Sequence, residues 1–397
     1  MNDRKQLMAS VRTVVVKLGT NVLTRASGEM ALGEIHAIIE DLADLQRADY
    51  RVLLVSSGAV SMGVNGLKHD GVTAFLTDKQ AYAAVGQIRL MAIYQQAFAN
   101  FNVPTGQILL TEDDFKSRTR YLNLRNTMNR LLDFGVLPII NENDSVSTSE
   151  IEESRPSCPD LPVFGDNDVL SALVASKLGA DLLLLLTDVD GLYPDGPPPS
   201  SGVGSGADDK EAPRPLSLVD EITPEIEAMA RAGSRRGRGG MASKLRAVQV
   251  AVQSGSPAVI ASGHRVGTIP DVLSGADVGT LFLPRRRLAS RKRWIAFAST
   301  VSGRIVVNQG AYDALTHRGK SLLFAGVVRL EGEFGRGDVV SIVDPAGKEF
   351  ARGIANYNSE EARPLAGKRS DEITELVGHN YEELIHRDNL VVRDSST

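Results

Sequence analysis

Six short runs of unbroken apolar character constrain the fold of this chain more than any other feature: Thr13–Leu18, Arg51–Val55, Gln107–Leu110, Val136–Ile140, Asp181–Leu186 and Ala258–Ser262. A strand with one wet face alternates apolar and polar residues. An unbroken run fits a strand covered on both faces, as in a parallel sheet between helical layers. Between the runs, residues 33–49 and 79–100 carry helical spacing, and in the second Ala81, Ala84, Val85, Ile88 and Ala92 fall on one face. This alternation predicts an α/β fold, a three-layer α/β/α sandwich with a mainly parallel sheet, with ligands in the loops beyond the strands' C-terminal ends.

Two polar segments interrupt the pattern, Ser145–Gly165 and the Pro/Gly/Ser-rich Pro194–Pro215. Neither offers residues to pack, so both are expected as long surface loops. Near Leu283–Ser290 the pattern changes to short strands with glycine-containing turns: Gly303–Val307, Gly326–Leu330, Asp338–Val343 and Phe350–Ala355. The 397 residues therefore divide into an α/β domain over 10–283 and a small β-rich module over 290–397.

A net charge of -5 argues against a chain that coats nucleic acid along its length. Any such role must sit on a local patch. Residues 285–293 supply six basic side chains in nine positions, either an RNA-binding patch or a solvated linker. The single cysteine, Cys158, allows no intrachain disulfide or cysteine cage and fits a reducing, cytoplasmic setting. The N-terminal stretch lacks the apolar core of a signal peptide, and the Leu182–Leu186 run is far short of the ~20 residues that cross a bilayer, so no membrane role is expected.

Four polar loops follow the apolar runs. Lys17 sits inside a strand that is otherwise valine and leucine, a costly place for an ammonium group that does not face an anion. Ser56-Ser57-Gly58-Ala59 forms a strand-to-helix turn of small hydroxyl residues, either an anion site or an ordinary helix cap. Asn141-Glu142-Asn143-Asp144 is echoed by Gly165-Asp166-Asn167-Asp168. These clusters suit an ammonium group, or Mg²⁺ near Asp166 and Asp168, or plain Asx turns with Asp166 or Asn167 capping the next helix. Last come Thr187-Asp188 and a glycine-rich loop that runs through Arg238, Gly239, Gly240, Met241, Ala242 and Ser243 to Lys244. Bare amides, a helix N-terminus and a lysine together make a polyphosphate cradle, although neither a Walker A loop nor a GxGxxG fingerprint is present. Two lysines, a cradle and carboxylates point to phosphoryl transfer, which needs positioning and charge neutralisation rather than covalent catalysis.

The stretches VVVKLGTNVLT (14–24), VSSGAVSMG (55–63), INENDSVSTSEI (140–151), FGDNDVLSALVA (164–175), LLLLTDVDGLY (183–193) and GGMASKLRAVQVA (239–251) resemble, in order and spacing, the glutamate 5-kinases of the amino-acid kinase family. RKRW (291–294), GKSLLFAGV (319–327), FGRGDVV (334–340) and IHRDNLV (385–391) resemble the PUA domain attached to many of them. The resemblance implies the amino-acid kinase fold and ATP-dependent phosphorylation of the γ-carboxylate of L-glutamate, the first step of proline biosynthesis. By matching positions it gives Lys17 and Lys244 to the ATP phosphates, with Thr187, Asp188 and Arg238–Lys244 completing the nucleotide site. Ser57, Asp144 and Asn167 would hold glutamate, and Asp168 would organise the lysines and Mg²⁺. It further implies a homo-oligomer, proline as a feedback inhibitor, and glutamate-5-semialdehyde dehydrogenase as the next enzyme and a partner.

Three departures stand out. The Glu152–Phe164 stretch is longer than in relatives and adjoins the expected glutamate site, which puts inhibition by proline in question. Pro194–Pro215 replaces a more regular segment, and Arg238 stands where a small residue is usual.

Overall fold

Among the described residues, eight strands form the sheet of the N-terminal unit: β1 (Thr13–Leu18), β2 (Arg51–Ser56), β3 (Thr105–Leu110), β4 (Leu137–Glu142), β5 (Leu182–Thr187), β6 (Leu218–Val219), β7 (Ala258–Ser262) and β8 (Thr280–Phe282). Their order is β3-β4-β2-β1-β5-β7-β8-β6, with every neighbouring pair parallel except β7 and β8. The computed structural model describes residues 2–25, 29–67, 75–116, 118–147, 167–196, 213–232, 240–284, 301–368 and 383–392. Most of the two polar segments and the basic run at 285–293 lie outside these residues.

Helices cover both faces of the sheet, which is why its strands read as unbroken apolar runs. The five that matter to the site are α1 (Leu32–Arg47), α2 (Ala59–Leu67), α3 (Leu76–Ala99), α4 (Asn167–Leu178) and α5 (Met241–Gln253). Val14, Val16 and Leu18 of β1 belong to a core with Ile35, Ile39 and Leu42 of α1 and Leu90, Tyr94 and Phe98 of α3. Val15 points the other way, into a core with Leu170 and Leu173 of α4 and Ala247, Val248 and Ala251 of α5. Strand residues alternate in facing, so Lys17 shares the side of Val15. That parity sends its ammonium toward the N-termini of α4 and α5.

Helices α2 and α3 touch backbone to backbone. A β-carbon on Gly86 would lie 1.7 Å from the carbonyl oxygen of Ala59, and one on Gly63 would lie 1.9 Å from that of Tyr82. Only glycine permits this approach. It decides which side of α3 is buried. Tyr82, Ala83, Gly86, Leu90, Tyr94, Ala97 and Phe98 face inward, while the stripe of Ala81, Ala84, Val85, Ile88 and Ala92 is turned outward, with Ile88 74% exposed. The larger aromatic residues take the core in place of the alanine-rich stripe.

The chain forms two compact units, 1–287 and 288–397. In the second, β9 (Gly303–Val307), β11 (Val327–Gly332), β12 (Val339–Val343), β13 (Glu349–Ile354) and β15 (Leu390–Val392) make a sheet of order β11-β9-β12-β13-β15, while β10 (Leu322–Leu323) pairs with β14 (Glu383–Ile385). Ile305, Phe324, Val340, Ile342, Phe350 and Leu384 fill its own core. The helix Gln309–Arg318 is capped by Asn308, whose side chain accepts from the Ala311 N–H, and is closed by Gly319 in the left-handed region at φ 57°. No described helix is long and apolar enough to cross a membrane.

Candidate active site

The central strands β4, β2, β1 and β5 are neighbours, and their C-terminal ends carry the polar residues of the first unit. In an open α/β sheet this is where ligands bind. Lys17 is on β1, between β2 and β5, and only 4% exposed. Its Nζ forms an ion pair with Asp168 Oδ1. Asp168 lies in the first turn of α4 and is fully buried. Its Oδ2 faces Lys244 Nζ at 3.3 Å and accepts from Ser243 Oγ at 3.3 Å. Lys244 and Ser243, in the first turn of α5, are themselves buried. Burial alone would raise the Asp168 carboxyl, but Lys17 and then Lys244 outweigh it and hold the group below the ordinary carboxylate range. Two ammonium groups thus converge on one carboxylate in a nearly dry site.

Beside this cluster, Thr187 ends β5 and its hydroxyl donates to Asp188 Oδ1 at 2.9 Å, while Asn21 Nδ2 donates to Asp188 Oδ2 at 2.8 Å. Burial tends to raise the Asp188 carboxyl, yet these two donors and the charge of Lys244 bring it below its ordinary value. Gly240 caps α5 in an extended conformation, so Met241 and Ala242 begin a helix whose N-terminus opens next to Lys244. Such an end favours an anion.

A second group gathers on the β2–β4 side. Gly58 takes φ 100°, a left-handed value that suits glycine, and turns the chain from β2 into α2 directly after Ser57. Ser57 Oγ accepts from Asn167 Nδ2 at 3.1 Å, and the same amide donates to Asn141 Oδ1 at 3.1 Å. Asn141 Nδ2 in turn donates to Gln87 Oε1 of α3 at 2.8 Å. Asn167 is thus the first residue of α4 with its side chain turned into the site rather than serving as a cap. Ser56, next to Ser57, is fixed by a 2.7 Å hydrogen bond with the buried Tyr94 hydroxyl. Asp144 sits half-buried in the turn just after β4. Asp166, Arg238 and Gly239 lie outside the described residues.

The structure therefore brings Lys17, Asp168, Ser243 and Lys244 together, and joins Ser57 to Asn167. Sequence reasoning named neither Asn21 nor Gln87 as a site residue, and it saw Asn141 only as part of a polar cluster. A glutamine within a helix carries no local signal. Asn21 could have been suspected because it follows closely on Lys17 and Gly19, in the helical turn Thr20–Leu23 just after β1.

The family profile described as amino acid kinase family matches residues 12–262, and the PUA domain profile matches 303–377. The chain is 46% identical to a glutamate 5-kinase of Moorella thermoacetica over 97% of each chain. It is 44% identical to one of Trichlorobacter lovleyi, over 99% of this chain and 100% of the other. This chain belongs to the amino acid kinase family. Within it, the kinase groups with the glutamate 5-kinases and carries a C-terminal PUA domain. A solved carbamate kinase from Giardia lamblia, bound to AMP-PNP, aligns at 18% identity and a TM-score of 0.47, over 69% of this chain and 99% of that one.

Proposed function

We propose that this kinase transfers the γ-phosphoryl group of ATP to the γ-carboxylate of L-glutamate, giving L-glutamyl 5-phosphate and ADP as the first step of proline biosynthesis. The observation that carries the reading is the buried cluster in which Lys17 and Lys244 flank Asp168, because two ammonium groups brought to one place suit an anionic donor and acceptor held side by side. A side-chain carboxylate with pKa ~4.3 is already ionised at neutral pH, so no general base is needed. One γ-carboxylate oxygen attacks the γ-phosphorus, the bond from that phosphorus to the bridging oxygen breaks, and ADP leaves with the electron pair. The obstacle is repulsion between two anions, which fixed ammonium groups relieve without reorganising.

In this reading Lys17 and Lys244 face the transferred phosphoryl group, and Asp168 keeps both lysines pointed at it. Thr187, Asp188 and the turn Gly240–Lys244 border the nucleotide. Ser57, Asn167 and Asp144 hold glutamate, with Asp144 suited to the α-ammonium. Asp168 does not suit Mg²⁺, since both of its oxygens face ammonium groups, and among the described residues no group of three metal-ligating side chains gathers. We therefore treat magnesium as part of the Mg–ATP substrate, carried mainly by the phosphates. A single cysteine supports a cytoplasmic setting.

The test is a coupled ADP-release assay with glutamate and Mg–ATP, with hydroxylamine present to trap the acyl phosphate. Formation of γ-glutamyl hydroxamate in step with ADP is expected. ADP release without hydroxamate, or turnover of N-acetylglutamate in preference to glutamate, would reject the assignment.

A further inference from the structure

One backbone amide sets the direction of every hydrogen bond in the chain Gln87–Asn141–Asn167–Ser57. The N–H of Glu142 can only donate, and at 2.9 Å it meets the Asn141 side chain. The atom it meets must be the oxygen, so Asn141 presents its NH₂ to Gln87, which must answer with Oε1. The Asn141 oxygen must then receive a donor from Asn167, which fixes that amide with Nδ2 toward Asn141 and Ser57. Two consequences follow at the substrate side. Asn167 Oδ1 is buried and finds no hydrogen-bond partner among the described residues, so it asks for a donor. Ser57 Oγ is used as an acceptor and keeps its own proton to give. An acceptor beside a hydroxyl donor matches the ammonium and carboxylate of an α-amino acid.

We propose that Gln87 is a positioning residue for the amino-acid substrate. It does not touch the substrate; it holds Asn141, only 2% exposed, in the one amide orientation that turns Asn167 Oδ1 toward an ammonium group. Without an acceptor at position 87 the buried Asn141 NH₂ loses its partner, and its rotation toward another acceptor reverses or loosens the Asn167 amide. Gly86 makes the arrangement possible, because its contact with Ala59 brings this turn of α3 to the mouth of β4. The inference rests on the reading that the substrate is an amino acid with a free ammonium group.

Steady-state kinetics of the full chain test it. Gln87→Leu removes the acceptor and is expected to raise the KM for glutamate about tenfold, leaving kcat and the KM for ATP within about twofold of the parent. Gln87→Glu keeps an acceptor oxygen and is expected to restore the glutamate KM. If the leucine variant proves insoluble, Gln87→Lys, which offers only donors, must show the same selective rise. An unchanged glutamate KM, an equal rise for both substrates, or failure of the glutamate variant to rescue would each overturn the positioning role. A parent enzyme that forms no γ-glutamyl hydroxamate overturns the functional reading itself, whereas an active parent with an indifferent Gln87→Leu variant overturns the relay alone.

Discussion

Lys17 and Lys244 approach opposite oxygens of the same carboxylate, that of Asp168, although one lysine is on a central strand and the other on the last long helix of the sandwich. Each would be costly to bury alone, and Asp168 is the carboxylate that both share. Removing the carboxylate exposes this dependence. Asp168→Asn is expected to destabilise the fold by about 3 kcal/mol, since two buried ammonium groups then lose the carboxylate they share. Because the Asp168 carboxyl is held below its ordinary range, its contribution is complete above the unfolded value of ~3.9 and is lost as pH falls through the folded value. Denaturant midpoints from pH 3 to pH 7 should therefore show the variant losing less stability on acidification than the parent. Parallel acid limbs would place the stabilising carboxylate elsewhere.

Lys244→Met should behave differently, because it leaves Lys17 and Asp168 as a balanced pair. The fold should be retained, while kcat falls by about two to three orders of magnitude, the usual result of losing one preorganised charge at a transition state. Near-parental kcat would take Lys244 out of the chemistry.

The sheet was legible because a strand covered on both faces is apolar along most of its length, and β1, β5 and β7 show that without help from distant residues. Lys17 was legible for the complementary reason, as the one residue in its strand that burial alone does not explain. The relay was not. Gln87 and Asn141 are 54 residues apart, and each is an ordinary polar residue in its own segment. Helix α3 shows the limit of periodicity: its alanine stripe has helical spacing, but the choice of buried face was made by Gly86 and Gly63 meeting the backbone of the neighbouring helix.

That contact leads to a prediction at Gly86. Gly86→Ala forces α2 and α3 apart, and the obstructing atoms are backbone, so no side chain can swing away. A loss of about 2 kcal/mol in unfolding free energy is expected, in the range for overpacked cores. The glutamate KM should rise as well, since Gln87 moves with its neighbour. A variant with full stability would show that the two helices can separate freely.

Asp41 of α1 offers a gain instead. Burial, together with Asp44, Glu40 and Asp271, raises its carboxyl to about 6. A raised carboxylate destabilises the fold once ionised, so stability is lost as pH climbs from the unfolded value of ~3.9 through about 6. Asp41→Asn should therefore be more stable than the parent at pH 7, by about 1 kcal/mol after allowance for its partial exposure, and equal to it near pH 4. Chemical denaturation at the two pH values decides the matter; a gain that persists at pH 4 would not be electrostatic.

A fragment comprising residues 1–287 should fold and phosphorylate glutamate. Every residue of the two cores on either side of the large sheet precedes Pro284, and every residue of the third core follows Ser302. Among the described residues no strand of one sheet is borrowed from the other unit, so the cut removes no described hydrogen-bonded neighbour from β8 or β6. The candidate residues from Lys17 to Lys244 all remain. The expected outcome is a cooperative unfolding transition with hydroxamate formation within a few-fold of the full chain, even where regulation or assembly is altered. Circular dichroism and the trapping assay on the same preparation give the answer. A folded fragment that binds neither ATP nor glutamate would mean that the PUA domain completes the site, and the division of labour proposed for the two units would have to be abandoned.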